Sequence, residues 1–82
     1  MTVAVYGGTG FIGNAVVRRL LARGIAPLVL ARGKHRVDVP RGASFIAAER
    51  DDGRRLVEIF QQHEVDTVID IAVTHPGAEV LL

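Results

Sequence analysis

Four glycines crowd one short stretch of this chain, AVYGGTGFIGNAVV, and their spacing is the feature best suited to chemistry. Gly7, Gly10 and Gly13 fit G-x-x-G-x-x-G, with Gly8 as an extra glycine. Gly7 ends an apolar run and allows a tight turn. Gly10 lets backbone amides come close to a diphosphate, and Gly13 lets a following helix pack tightly on a sheet. The start of that helix offers unpaired N–H groups and the positive end of a dipole to an anion. Thr9 adds a hydroxyl donor. A glycine pattern alone is weak, but this one directly follows an apolar strand and opens an amphipathic helix, the context that gives it meaning. The competing reading is a βα turn that binds nothing. A P-loop fits less well, because no G-K-[ST] follows and the only lysine is Lys34.

The elements that must position this loop alternate strand and helix. Thr2 to Tyr6 (TVAVY) reads as a buried strand. NAVVRRLLAR reads as a helix with Val16, Val17, Leu20 and Leu21 on its apolar stripe, and Gly24 as a left-handed stop. Ala26 to Ala31 is a second strand, 32–43 a polar loop, and Ser44 to Ala48 a third strand. Asp52 can cap a helix from Gly53 to His63, with Leu56, Val57 and Phe60 facing inward. Asp66 to Val73 is a fourth strand, and a further helix is expected to open within 74–82. Strands separated by helices imply right-handed crossovers and a parallel sheet. With one crossover helix on each face, the fold class is α/β, a three-layer doubly wound sheet in strand order 3-2-1-4, expected to stop after the fourth strand.

Composition narrows the function classes. Ten Lys+Arg against nine Asp+Glu, a net charge of +1, argue against an electrostatic nucleic-acid binder. The absence of cysteine excludes a disulfide scaffold or thiolate metal site, and three scattered histidines argue against zinc. No early cation precedes an apolar run, and no stretch reaches the ~20 apolar residues of a membrane span. The expectation is a cytoplasmic protein with no membrane partner.

GGTGFIG after AVY, with VVRRLLARG behind it, resembles the opening of extended or atypical short-chain dehydrogenases/reductases, and most closely the NAD-dependent epimerase/dehydratase family. FIAAERDDGRRL resembles the segment that in this family carries G-D-R-x-D, and DTVIDIA resembles its fourth strand. The resemblance implies a Rossmann-type domain over residues 1–82 that binds a dinucleotide. Gly7, Thr9, Gly10, Phe11, Ile12 and Gly13 would cradle the pyrophosphate, Glu49 and Arg50 would face the adenine, and Ala72 would join the cofactor-binding residues. Tyr6 stands where many members have Thr, which favours the atypical branch. Glu49 stands where the family has the Asp that bonds the adenine amino group, and Asp51 or Asp52 could substitute unless they serve as helix caps.

The choice of dinucleotide turns on the residues after the second strand. A free 2′-hydroxyl wants an acidic residue there, and a 2′-phosphate wants a cation. The strand ends LVLARGKHR, and no acidic residue occurs until Asp38. Guanidinium binds phosphate bidentately, so Arg32 is preferred over Lys34, and the resemblance also puts Arg32 at the 2′-phosphate. NADP is therefore expected over NAD; a solvated charge run is the plainer alternative.

Asp70, inside an apolar strand, reads as a hydrogen-bonded structural carboxylate ahead of a catalytic one. The family's catalytic pair is Tyr-x-x-x-Lys with an upstream Ser or Thr; Tyr6 is the only tyrosine, Gly10 lies four residues on, and no such pair occurs. The resemblance thus implies the cofactor-binding part of an oxidoreductase or epimerase. A non-catalytic dinucleotide-sensing or scaffolding module and an inactive truncated product stand beside it. The fourth strand lacks a fifth to pair with, so Val68, Ile69 and Ile71 are expected to lose cover. That predicts a marginally stable monomer, or one that pairs through this edge with a second copy or a missing C-terminal half.

Overall fold

Side chains alternate across a strand, and in β1 (Thr2–Tyr6) both faces are apolar, so the strand must be covered on each side. The computed structural model describes residues 2–7, 11–32 and 39–71. In it β1 is followed by α1 (Phe11–Ala22), β2 (Leu28–Ala31), β3 (Ser44–Ala47), α2 (Gly53–Gln62) and β4 (Val65–Asp70). The strands form one parallel sheet in the order β3-β2-β1-β4, as the crossover argument requires. Val5 pairs with Val29 and with Ile69, and Tyr6 with Leu30 and Asp70.

The alternation splits the core in two. Val3, Val5 and Val29 point to one face and pack with Val17 of α1, joined by Leu20, Leu21, Phe45, Ile69 and Ile71. Ala4, Tyr6, Leu28 and Leu30 point to the other and pack with Ile59 of α2, joined by Ile46, Leu56 and Phe60. Each helix therefore covers one face of the sheet.

Element boundaries moved where local signals misled. α1 begins at Phe11, three residues before the expected Asn14. The helix runs through buried Gly13, which carries its start back toward the end of β1. Asn14 lies inside the helix, and its Oδ1 accepts a 2.7 Å hydrogen bond from Arg18 Nε one turn on. β2 starts at Leu28, two residues later than expected, because buried Pro27 precedes the ladder, although the Pro27 carbonyl still accepts from Ser44 N–H at 3.1 Å. β4 starts one residue early at Val65 and ends at Asp70, with Ile71 N–H still donating to the Tyr6 carbonyl. The expected helix within 74–82 lies outside the described residues.

Two inward assignments change. Val57 is 52% exposed, and Ile59, at 1%, is the residue that anchors α2. Leu56, Ile59 and Phe60 form the i, i+3, i+4 seam, and Val57 sits about 100° round the helix from Leu56. On β4, Val68 is exposed as expected, but Ile69 and Ile71 stay half-buried against the α1-side core.

The ends of both helices are built as the sequence suggests. Asp52 Oδ1 accepts from Arg55 N–H at 3.2 Å, a side-chain N-cap. After α1, Ile25 N–H donates to the Leu20 carbonyl and Gly24 N–H to the Leu21 carbonyl, with Gly24 at φ +78°. That is the paired-bond C-terminal motif that favours glycine.

Candidate dinucleotide site at the carboxyl rim

In a parallel doubly wound sheet, ligands bind beyond the carboxyl ends of the strands, where the strand order reverses. Here that point lies between β1 and β4. Gly7 closes β1 with φ +89°, a left-handed turn that glycine makes without strain, and its N–H donates to the Leu30 carbonyl at 2.7 Å. Four residues later α1 opens at Phe11. Helix geometry leaves the first-turn amides of Phe11, Ile12 and Gly13 without carbonyl partners inside the helix. Gly13 is buried and Ile12 is 67% exposed. Thr9, Gly10 and Ala72 lie outside the described residues.

Arg32 follows directly on β2 and is exposed. Glu49 and Arg50 follow β3 and are exposed too. Glu49 borders a shallow depression of about 200 Å³ lined also by Ala47, Ala48, Asp52 and Arg55. Asp52 is committed to its cap, so the alternative role weighed for it as an adenine partner loses ground.

On the α2 face the rim carries a side-chain lattice that sequence reasoning missed. Tyr6 is 7% exposed, and its hydroxyl donates to the Ala48 carbonyl at 2.8 Å. Arg50 reaches back over Tyr6, its guanidinium carbon 4.6 Å from the ring centroid. It then grips Asp70 with both terminal nitrogens, Nη2 to Oδ1 at 2.7 Å and Nη1 to Oδ2. A residue beyond β3 is thus tied across β1 to the end of β4. Asp70 is the hydrogen-bonded carboxylate that its place in the strand suggested. Strand order and parity could have revealed the cluster, since Tyr6 and Asp70 pair at the ends of neighbouring parallel strands.

The electrostatics follow the geometry. Burial pushes the Tyr6 phenol above its ordinary pKa; Arg50 works against that shift, while Glu49 and Asp70 add to it. The Asp70 hydrogen bond holds the Arg50 guanidinium still more firmly in its charged form.

A glycine turn, a helix start after it and a strand order that reverses beside them mark a doubly wound α/β protein, a class that takes its ligands at this rim. The chain belongs to the NAD dependent epimerase/dehydratase family, whose pattern it matches over residues 3–81. It is 36% identical over 74 residues to a UDP-glucose 4-epimerase of Lacticaseibacillus casei, covering 88% of this chain and 22% of that protein. It is 39% identical over 72 residues to dTDP-6-deoxy-L-talose 4-dehydrogenase (NAD(P)(+)) of Kitasatospora kifunensis, covering 85% of this chain and 22% of that one. The crystal structure of UDP-glucose 4-epimerase from Brucella ovis in complex with NAD superimposes with a TM-score of 0.79 at 32% identity. That match covers 98% of this chain and 25% of the epimerase. The chain thus spans between a fifth and a quarter of the length of these relatives. No helix among the described residues is long and apolar enough to cross a membrane.

Proposed function

We propose that residues 1–82 form an NAD(P)-binding domain that receives the dinucleotide at the carboxyl rim, as the N-terminal, cofactor-binding part of an epimerase, dehydratase or reductase. The observation that carries this reading is the left-handed Gly7 turn, which feeds an α1 whose first-turn amides open at the end of β1. A diphosphate fits such a start, being neutralised by the dipole and bonded by bare N–H groups. Gly7, Thr9, Gly10, Phe11, Ile12 and Gly13 hold the pyrophosphate. Glu49 and Arg50, with Ala72, flank the adenosine.

Within that reading we favour NADP over NAD. Arg32 is an exposed guanidinium at the tip of β2, where a carboxylate would instead serve a free 2′-hydroxyl. When bound, the nicotinamide would supply hydride chemistry. The residues of this chain would bind and orient it.

Among the described residues β4 is an edge strand with Val68 48% exposed, which supports pairing with a further strand from a C-terminal part or from a second copy.

Calorimetric titration with NADPH, NADH and ATP tests the assignment. Dinucleotide binding is expected, lost in Gly13→Val, where a branched side chain enters a buried position of the first turn. Arg32→Ala is expected to weaken NADPH by roughly 10–100-fold, the worth of a charge-assisted contact, and to leave NADH unchanged. Equal indifference to all three ligands would overturn the reading. An unchanged NADPH:NADH ratio in Arg32→Ala would overturn the preference for NADP.

A further inference from the structure

We propose that Tyr6 and Asp70 are positioning residues that hold the Arg50 guanidinium as a flat shelf at the carboxyl rim, on which a purine base stacks. The inference rests on the dinucleotide reading above and adds to it the means by which the base is held.

A guanidinium is planar, and a bidentate carboxylate fixes the orientation of that plane as well as its position. Asp70 supplies that grip through both of its oxygens. Tyr6 supplies the backing, with its ring 4.6 Å beneath the guanidinium carbon. The backing is itself rigid, because the ring is buried and its hydroxyl is anchored to the Ala48 carbonyl at 2.8 Å. The Arg50 side chain nevertheless keeps 45% of its surface exposed. It sits one residue after Glu49, whose carboxylate is an acceptor suited to a purine amino group.

Charge separates this arginine from Arg32. The Asp70 carboxylate offsets the guanidinium charge, so Arg50 offers a surface more than an attraction for anions. Arg32, exposed and outside any ion pair among the described residues, offers the charge. The pair also contributes little to folding, because ion pairs this exposed are weak. Bases stack on guanidinium planes and aromatic rings in many nucleotide complexes, and the loss of one such platform is felt as roughly a tenfold or larger drop in affinity.

The test titrates the full chain with NADH, ADP and inorganic pyrophosphate, the last having no base. Arg50→Lys keeps the charge and removes the plane. It is expected to weaken NADH and ADP roughly tenfold and to leave pyrophosphate unchanged. Asp70→Asn loosens the grip and is expected to cost both purine ligands several-fold. Tyr6 is the only tyrosine in a chain without tryptophan, so its emission reports directly on the shelf. ADP is expected to change that emission in the wild type and not in Arg50→Lys. A wild type that binds NADH and ADP, with both variants matching it, overturns the shelf alone. So does an equal loss of pyrophosphate binding. A wild type that binds neither dinucleotide nor ADP overturns the reading beneath it, and the shelf with it.

Discussion

On the α1 face the strands run out beneath a glycine turn and a helix start, where the recognition groups proposed above belong to the backbone. On the α2 face the same strands run out beneath Tyr6, Arg50 and Asp70, and the groups there belong to side chains. One sheet thus ends in two chemistries. Main-chain amides recognise an anion whatever it is attached to. A buttressed side-chain plane recognises the shape of what is attached. A dinucleotide has both parts, and on the reading proposed above the two faces would divide the labour between them.

Hollowing each face in turn is the strongest test of whether the two halves are equivalent supports. Ile59 and Val17 are the fully buried helix residues on the α2 and α1 sides. Ile59→Ala is expected to destabilise by about 2–5 kcal/mol and Val17→Ala by about 1–3 kcal/mol, read from urea midpoints. A larger loss at Val17 would break the comparison, because it would make the α1 face the dominant support.

Two glycines sharpen it next. Gly24 and Gly42 both have positive φ, but a Cβ on Gly24 meets open space whereas one on Gly42 comes 3.0 Å from Leu21 Cδ2. Gly24→Ala is expected to cost about 1 kcal/mol from the backbone alone. Gly42→Ala should cost more, by whatever Leu21 must yield within the α1-side core. Equal thermal midpoints would show that core to be soft.

The polar rim has a pH signature that the glycine rim lacks. Burial raises the Tyr6 pKa, so the folded chain holds that proton more tightly than the unfolded one. The resulting stability is fully present below about pH 10, the ordinary phenol value, and is lost as pH rises through Tyr6's own titration. Ultraviolet titration of the single tyrosine is expected to show ionisation above the free phenol, and Arg50→Met to raise it further by removing an opposing charge. A downward shift in Arg50→Met would separate the guanidinium from the ring. The smallest effect belongs to the ion pair itself: a double-mutant cycle on Arg50 and Asp70 is expected to return about 0.2–1 kcal/mol of coupling.

The two faces also differed in how far the sequence disclosed them. The glycine turn and the Asp52 cap depend on neighbours within a few residues, and the strand order follows from the alternation of strands and helices, so spacing and residue type were enough. The Tyr6–Arg50–Asp70 lattice joins positions 20 residues apart at its nearest link, and no local pattern marks it. It becomes legible only once β1 and β4 are known to lie side by side in a particular register. Val57 was misjudged for the opposite reason. A valine beside Leu56 satisfies composition, and only the angular position around α2 turns it outward.

The position of β1 has a consequence for synthesis. Of the four strands of this sheet it is made first, yet one of its two neighbours, β4, follows about sixty residues later. At about 5–20 residues/s that side of β1 waits roughly 3–12 s for its partner. Until then the ribosome presents an apolar strand with one flank unzipped, open to capture by any other nascent strand nearby.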